Sequence, residues 1–194
     1  MLDKEPNSLQ AFGFLTALQD PVHGYFGGYL VLSRLGRPLE FRCCTPIQPS
    51  RAQQILYGPS LGPYLLAEVI GQSLISSAQT NVQVILTDQR DMLHLALFRP
   101  EPLAWISSQE SDPAAPPATD SPRDWDRYQL RVPSLSPFSL DDLKGRLAPL
   151  VEQVDPMEPF GRITAALQEA GGNTPAPPVA EQPVSGDTSH AAAA

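Results

Sequence analysis

Apolar residues fall along this chain in short blocks, and the period within each block predicts its element. Residues 11–18 (AFGFLTAL) form a compact apolar run, read as a strand. Asp20-Pro21 ends it, because the residue before proline is driven out of the helical region. Residues 29–32 (YLVL) are apolar on both faces, as a central strand covered from two sides requires. Gly24, Gly27 and Gly28 lead into this run, and glycine in a strand signals a bulge or the close approach of another element. A turn follows at residues 34–38, with Gly36 free to take positive φ. The return strand alternates: Leu39, Phe41 and Cys43 on one face, Glu40, Arg42 and Cys44 on the other. The pattern predicts the first set inward and the second outward.

Ser50 is placed to cap a helix over 51–57. Gly58-Pro59 interrupts it, and Leu61, Leu65, Leu66, Val69, Ile70 and Leu74 continue an apolar stripe at helical spacing. Residues 82–87 (VQVILT) and 92–98 (MLHLALF) flank a polar turn and predict a second hairpin. Residues 103–106 (LAWI) predict a short edge strand beside prolines. Residues 107–126 are rich in Ser, Pro and acids and predict a mobile linker. Residues 128–132 (YQLRV) predict one more strand. Ser139 opens a helix that carries acids near its positive end and Pro149 inside it. A last helix, 159–170, stops at Gly171-Gly172.

The expected class is α+β: an antiparallel sheet of two hairpins, with the helix of 50–78 on one face. The expected organisation is a core domain over 8–106, an acidic linker over 107–126, a strand and helices over 127–170 packing on the core, and a disordered tail over 171–194.

Composition adds to this picture mainly through charge. The 194 residues carry a net charge of −8. Residues 107–126 alone hold one basic and five acidic side chains. No segment has the basic excess that binding a phosphate backbone calls for, so the expectation is no nucleic-acid partner. The first residues lack a basic stretch followed by an apolar core, and no apolar run approaches the ~20 residues that span a bilayer. The expectation is a cytoplasmic protein with no membrane partner. The two cysteines, Cys43 and Cys44, are adjacent, and vicinal cysteines rarely bridge, so reduced thiols are expected.

The candidate chemistry is sparse. Cys44 shares its strand face with Arg42, whose charge would lower a thiol pKa at close range. His23 would be its base, with Asp88 or Asp91 as orienter. His94 lies on the less apolar face of its block. Three histidines and one vicinal cysteine pair lack the spaced ligands of a zinc site, so no metal is expected. GYFGGY is followed by a strand where a dinucleotide fingerprint needs a helix, and no P-loop is present, so no cofactor is expected. Arg34, Arg37, Arg42 and Arg51 bracket the first hairpin. With Tyr57 and Tyr64 at the helix break they form the expected partner-binding surface.

The run GGYLVLSRLGRPLEFRCCTPI, followed by RAQQILYG, resembles a group of small uncharacterised bacterial proteins. It covers roughly the central third of the chain and carries no activity to transfer. The element order also resembles longin and roadblock modules, profilin-like α+β platforms, and that likeness implies protein–protein contact. The leading expectation is therefore a non-enzymatic adaptor or regulatory module with a protein partner, and homo-oligomerisation is compatible with it. The rivals are a cysteine-dependent enzyme using Cys44 with His23, and a small-molecule sensor.

Overall fold

The computed structural model describes residues 10–108 and 125–172. β1 (Ala11–Asp20), β2 (Gly24–Ser33) and β3 (Pro38–Cys43) form an antiparallel meander. The chain then runs through α1 (Arg51–Tyr57), a 3-10 turn (Gly58–Ser60), α2 (Leu61–Pro63), a π-helical stretch (Tyr64–Gly71) and α3 (Gln72–Ser77). β4 (Ile85–Thr87), a 3-10 helix (Arg90–Leu97), β5 (Leu103–Ser108) and β6 (Tyr128–Arg131) follow. α4 (Leu140–Val151) and α5 (Glu158–Gly172) end the described chain.

The six strands form one sheet in the order β3-β2-β1-β4-β5-β6. β4 runs parallel to β1, and β5 parallel to β4, while β6 is antiparallel to β5. The α+β class holds, but the sheet is mixed and not two antiparallel hairpins. The expected second hairpin does not form. Its outgoing strand, β4, pairs with β1, and the expected return strand over 92–98 is mostly 3-10 helix. MLHLALF fits two periods over so short a run. The buried residues are Met92 and Leu95, three apart, as the 3-10 repeat requires. β5 is likewise an interior strand, because β6 covers the side that would otherwise have been an edge.

Both faces of the sheet are covered. On one, Phe12, Phe14, Leu30, Leu32, Leu86 and Ile106 meet Leu143, Leu147, Phe160 and Ile163 of α4 and α5. On the other, Leu15, Tyr29, Val31 and Ile85 meet Ala67, Ile70, Leu74, Met92 and Leu95. The fold is thus three-layered, and the apolar block of β2 is covered on both faces as its composition demands. Gly27 and Gly28 each leave room for a side chain of one covering layer. A Cβ on Gly27 would overlap Ile70 Cγ2, and one on Gly28 would lie 2.5 Å from Ile163 Cγ2.

β3 keeps its predicted period but reverses its predicted faces. Leu39, Phe41 and Cys43 are exposed, while Glu40, Arg42 and Cys44 are half-buried. As an edge strand, β3 has little covering its α5 side. On the opposite side Glu40 accepts hydrogen bonds from the backbone amides of Gln79 and Thr80, just past α3. The helix starts follow the sequence. Ser50 and Gln53 form a capping box on α1, and Ser139 and Asp142 form another on α4. Most of the expected linker and almost all of the tail lie outside the described residues, although Ser107 and Ser108 belong to β5. No helix among the described residues is long and apolar enough to cross a membrane.

Candidate functional site

The sequence pointed first to Cys44 and His23. Cys44 Sγ accepts the Gly27 amide at 3.1 Å, and burial pushes the thiol above its ordinary value. That is the reverse of an activated thiolate. The Arg42 guanidinium expected to activate it is paired with Glu40, Nε to Oε1 at 2.8 Å. His23 Nδ1 faces Asp20 Oδ1 at 2.9 Å, within the turn that joins β1 to β2. The ring is engaged locally, and no thiol dyad is formed by these contacts.

The expected partner surface is partly gathered. Tyr57 and Tyr64 stack with ring centroids 4.3 Å apart. Arg34, Arg37 and Arg51 are exposed, and Arg42 is held by Glu40.

A different cluster lies at the carboxyl end of β4, beside Thr16 of β1 and Trp105 of β5. Among the described residues, Thr16 of β1 and Thr87 of β4 are the buried polar residues of the core. Directly after β4, Asp88 leaves the sheet with one carboxylate oxygen, Oδ1, buried and without a hydrogen-bond partner. Burial pushes the Asp88 carboxyl above the usual carboxylate range, against an opposing hydrogen bond from Thr16. Gln89 ties the turn to β1 by donating its side-chain amide to the Ala17 carbonyl and to Thr16 Oγ1. Thr87 Oγ1 donates to Met92 Sδ at 3.2 Å and accepts the Gln89 amide at 3.2 Å.

Trp105 of β5 fixes the next layer. Its indole N–H donates to the Asp88 carbonyl at 3.0 Å, and the side chain is almost wholly buried. Two guanidiniums lie against its ring, Arg90 at 4.6 Å and Arg131 at 5.9 Å from the centroid. Arg131 is the direct cross-strand partner of Trp105 in the β5–β6 pair. Both guanidiniums thus lie within cation–π range of one indole. Arg90 and Arg131 line a cavity of about 480 Å³ together with His94, Ser134, Leu93, Leu97 and Leu135, among others.

No local pattern in the sequence marks Arg90, Arg131 or Trp105. The one local signal was Asp88, a carboxylate at the carboxyl end of an apolar strand. Nothing in sequence order joins Arg90 to Arg131, because β5 and β6 have to pair before the two meet. Among the described residues, no group of three or more His, Cys, Asp or Glu is placed to hold a metal ion.

The fold is that of a three-layered protein with a mixed sheet, and solved structures share it. The chain is similar to the catalytic domain of human endonuclease V, in a form with several of its cysteines substituted. Identity is 14%, 84% of this chain and 85% of that chain are covered, and the TM-score is 0.50. A second structure of human endonuclease V matches at 11% identity over 84% of this chain and 87% of that one, with a TM-score of 0.46. Endonuclease V of Ciona intestinalis, in complex with inosine-containing DNA, matches at 11% identity over 63% and 52%, with a TM-score of 0.30. No family model matches the chain, and no curated protein matches it. At these identities the likeness concerns the fold alone.

Two expectations are overturned here. The non-enzymatic adaptor rested on missing motifs and an element order read as a protein-contact platform. The fold is instead shared with the catalytic domain of a nuclease. The exclusion of nucleic acid is withdrawn with it, on the same fold match. The physical reason is that charge summed along segments hides what folding gathers. Arg90 and Arg131 come from segments with no basic excess, yet both stack on one ring.

Proposed function

We propose that this chain is a nucleic-acid-binding protein built on a fold like that of the endonuclease V catalytic domain. The strand is engaged beside β5 and β6, by Arg90, Arg131 and His94 next to Trp105. The observation that carries this reading is the pair of guanidiniums stacked on one buried indole at the rim of a cavity. Arginine suits phosphate because its planar fork presents several N–H donors at once. Its stacking on Trp105 reduces the rotamer freedom that a phosphate contact would otherwise have to remove. The neighbour's being a catalytic domain makes strand cleavage part of the question, and Asp88, whose carbonyl accepts the Trp105 indole N–H, is the buried acid beside the cluster.

The test is fluorescence anisotropy with labelled single-stranded and duplex oligonucleotides, one of them containing inosine, between about 50 and 200 mM salt. Binding that weakens with salt, and that Arg90→Ala/Arg131→Ala reduces about tenfold or more, is expected. No binding at the lowest salt would end the reading. Running the same samples on a denaturing gel, with and without added divalent cation, reads cleavage directly.

A further inference from the structure

We infer that the cavity beside Trp105 is a mononucleotide site, one that takes a nucleoside monophosphate unit with its phosphate on the arginines and its base on the leucines. The inference rests on the nucleic-acid reading above and names the unit that is recognised.

The lining of the cavity is mixed in chemistry. Arg90, Arg131, His94 and Ser134 supply polar groups, and Leu93, Leu97 and Leu135 apolar ones. Leu97 is 56% exposed and Leu135 72% exposed. Large apolar side chains left in water beside paired cations call for a ligand that is both anionic and flat-faced. Inorganic phosphate would answer the arginines and leave the leucines wet. An uncharged base would cover the leucines and leave both guanidiniums without an anion. A nucleoside monophosphate meets both.

The cavity, at about 480 Å³, falls in the range of about 300–1,000 Å³ that small-ligand sites occupy. His94 adds a directional group. Its Nδ1 lies 3.0 Å from the Asp91 carbonyl, which can only accept, so in the neutral ring Nδ1 carries the proton. Nε2 is then an acceptor, suited to a base N–H or a sugar hydroxyl. The site thus holds two cationic donors, one acceptor and apolar side chains.

The same unit can come from two sources, a free nucleotide or the phosphorylated end of a strand. Isothermal titration of the full chain separates them. The probes are adenosine, adenosine 5′-monophosphate, inorganic phosphate, and one ten-nucleotide strand with and without a 5′-phosphate. Adenosine monophosphate is expected to bind about tenfold or more tightly than either adenosine or phosphate, since each half alone makes only part of the contacts.

A terminal phosphate that strengthens strand binding by a similar factor identifies the strand end as the source. No gain from it, with the free nucleotide still bound, identifies the free nucleotide. Arg131→Ala should remove the advantage of the nucleotide over adenosine, and Leu135→Ala its advantage over phosphate. If Arg131→Ala fails to fold, as thermal unfolding would show, Arg131→Lys keeps the charge and loses the fork, and should still weaken nucleotide binding severalfold.

Adenosine monophosphate that binds no better than its parts, while strands still bind, overturns the inference and leaves the nucleic-acid reading standing. Strands that fail to bind while the nucleotide binds overturn that reading and leave the site.

Discussion

Asp88 and Glu40 are both carboxylic acids held against folded structure, and their surroundings move them in opposite directions. Burial raises Asp88, with the Thr16 hydroxyl only partly opposing it. Burial also acts on Glu40, but hydrogen bonds from Arg42, Gln79 and Thr80 outweigh it and hold the carboxyl at about 2. The consequences for stability have opposite signs. A raised carboxyl stabilises the fold below its ordinary value and loses that contribution as pH rises through the folded value. Asp88→Asn should therefore gain in Tm relative to the parent as pH rises from about 4 toward 7, and a thermal-unfolding series against pH reads the difference. Glu40 contributes above its ordinary 4.5 and loses that contribution as pH falls toward about 2. Glu40→Gln should lower Tm at neutral pH, with the loss shrinking as pH falls from about 4.5 toward and through about 2 in the same series.

Among the elements, β2 is the one on which the layers depend. Its glycines allow Ile70 from one layer and Ile163 from the other to come down onto the strand. Ile Cγ2 sits one bond from its own Cβ, so the side chain has no flexible end that can swing away. Gly27→Ala would force the π-helical stretch outward and should destabilise the protein by about 1–3 kcal/mol, read as a lowered urea midpoint. The glycines were legible in the sequence as marks of close approach, but not what approaches them. The 3-10 helix of Arg90–Leu97 is not legible in the sequence, because the apolar side chains of the block over 92–98 satisfy either period. Only the packing of Met92 and Leu95 under the π-helical layer selects the helical one.

For the molecule as a whole, a net charge of −8 coexists with a local pair of guanidiniums on Trp105. Binding to a single strand should therefore be weak overall and steeply dependent on that pair. Removing either arginine should reduce the slope of log affinity against log salt by about 0.7, measured by anisotropy at four or more salt concentrations. A substitution at Arg34 or Arg37, exposed on the first hairpin, should leave that slope nearly unchanged. This contrast separates a localised site from general attraction.

Local pattern alone determined much of the secondary structure. The apolar blocks at 11–18 and 29–32 became β1 and the later part of β2, and Ser50 and Ser139 cap the helices that follow them, whereas Ser60 donates its hydroxyl back to the Tyr57 carbonyl and caps nothing. These features depend on neighbours a few residues away, so sequence order contains their cause. The tertiary structure decided which strands pair, which face of β3 is covered, and which charges meet. Cys44 looked reactive because Arg42 shares its face, yet the fold turns that face toward the core and commits Arg42 to Glu40. Arg90, Trp105 and Arg131 looked unrelated because they belong to three separate elements. They become one cluster only when β5 is enclosed between β4 and β6. Short-range sterics and capping are encoded locally, whereas burial and charge proximity are set by contacts between distant segments.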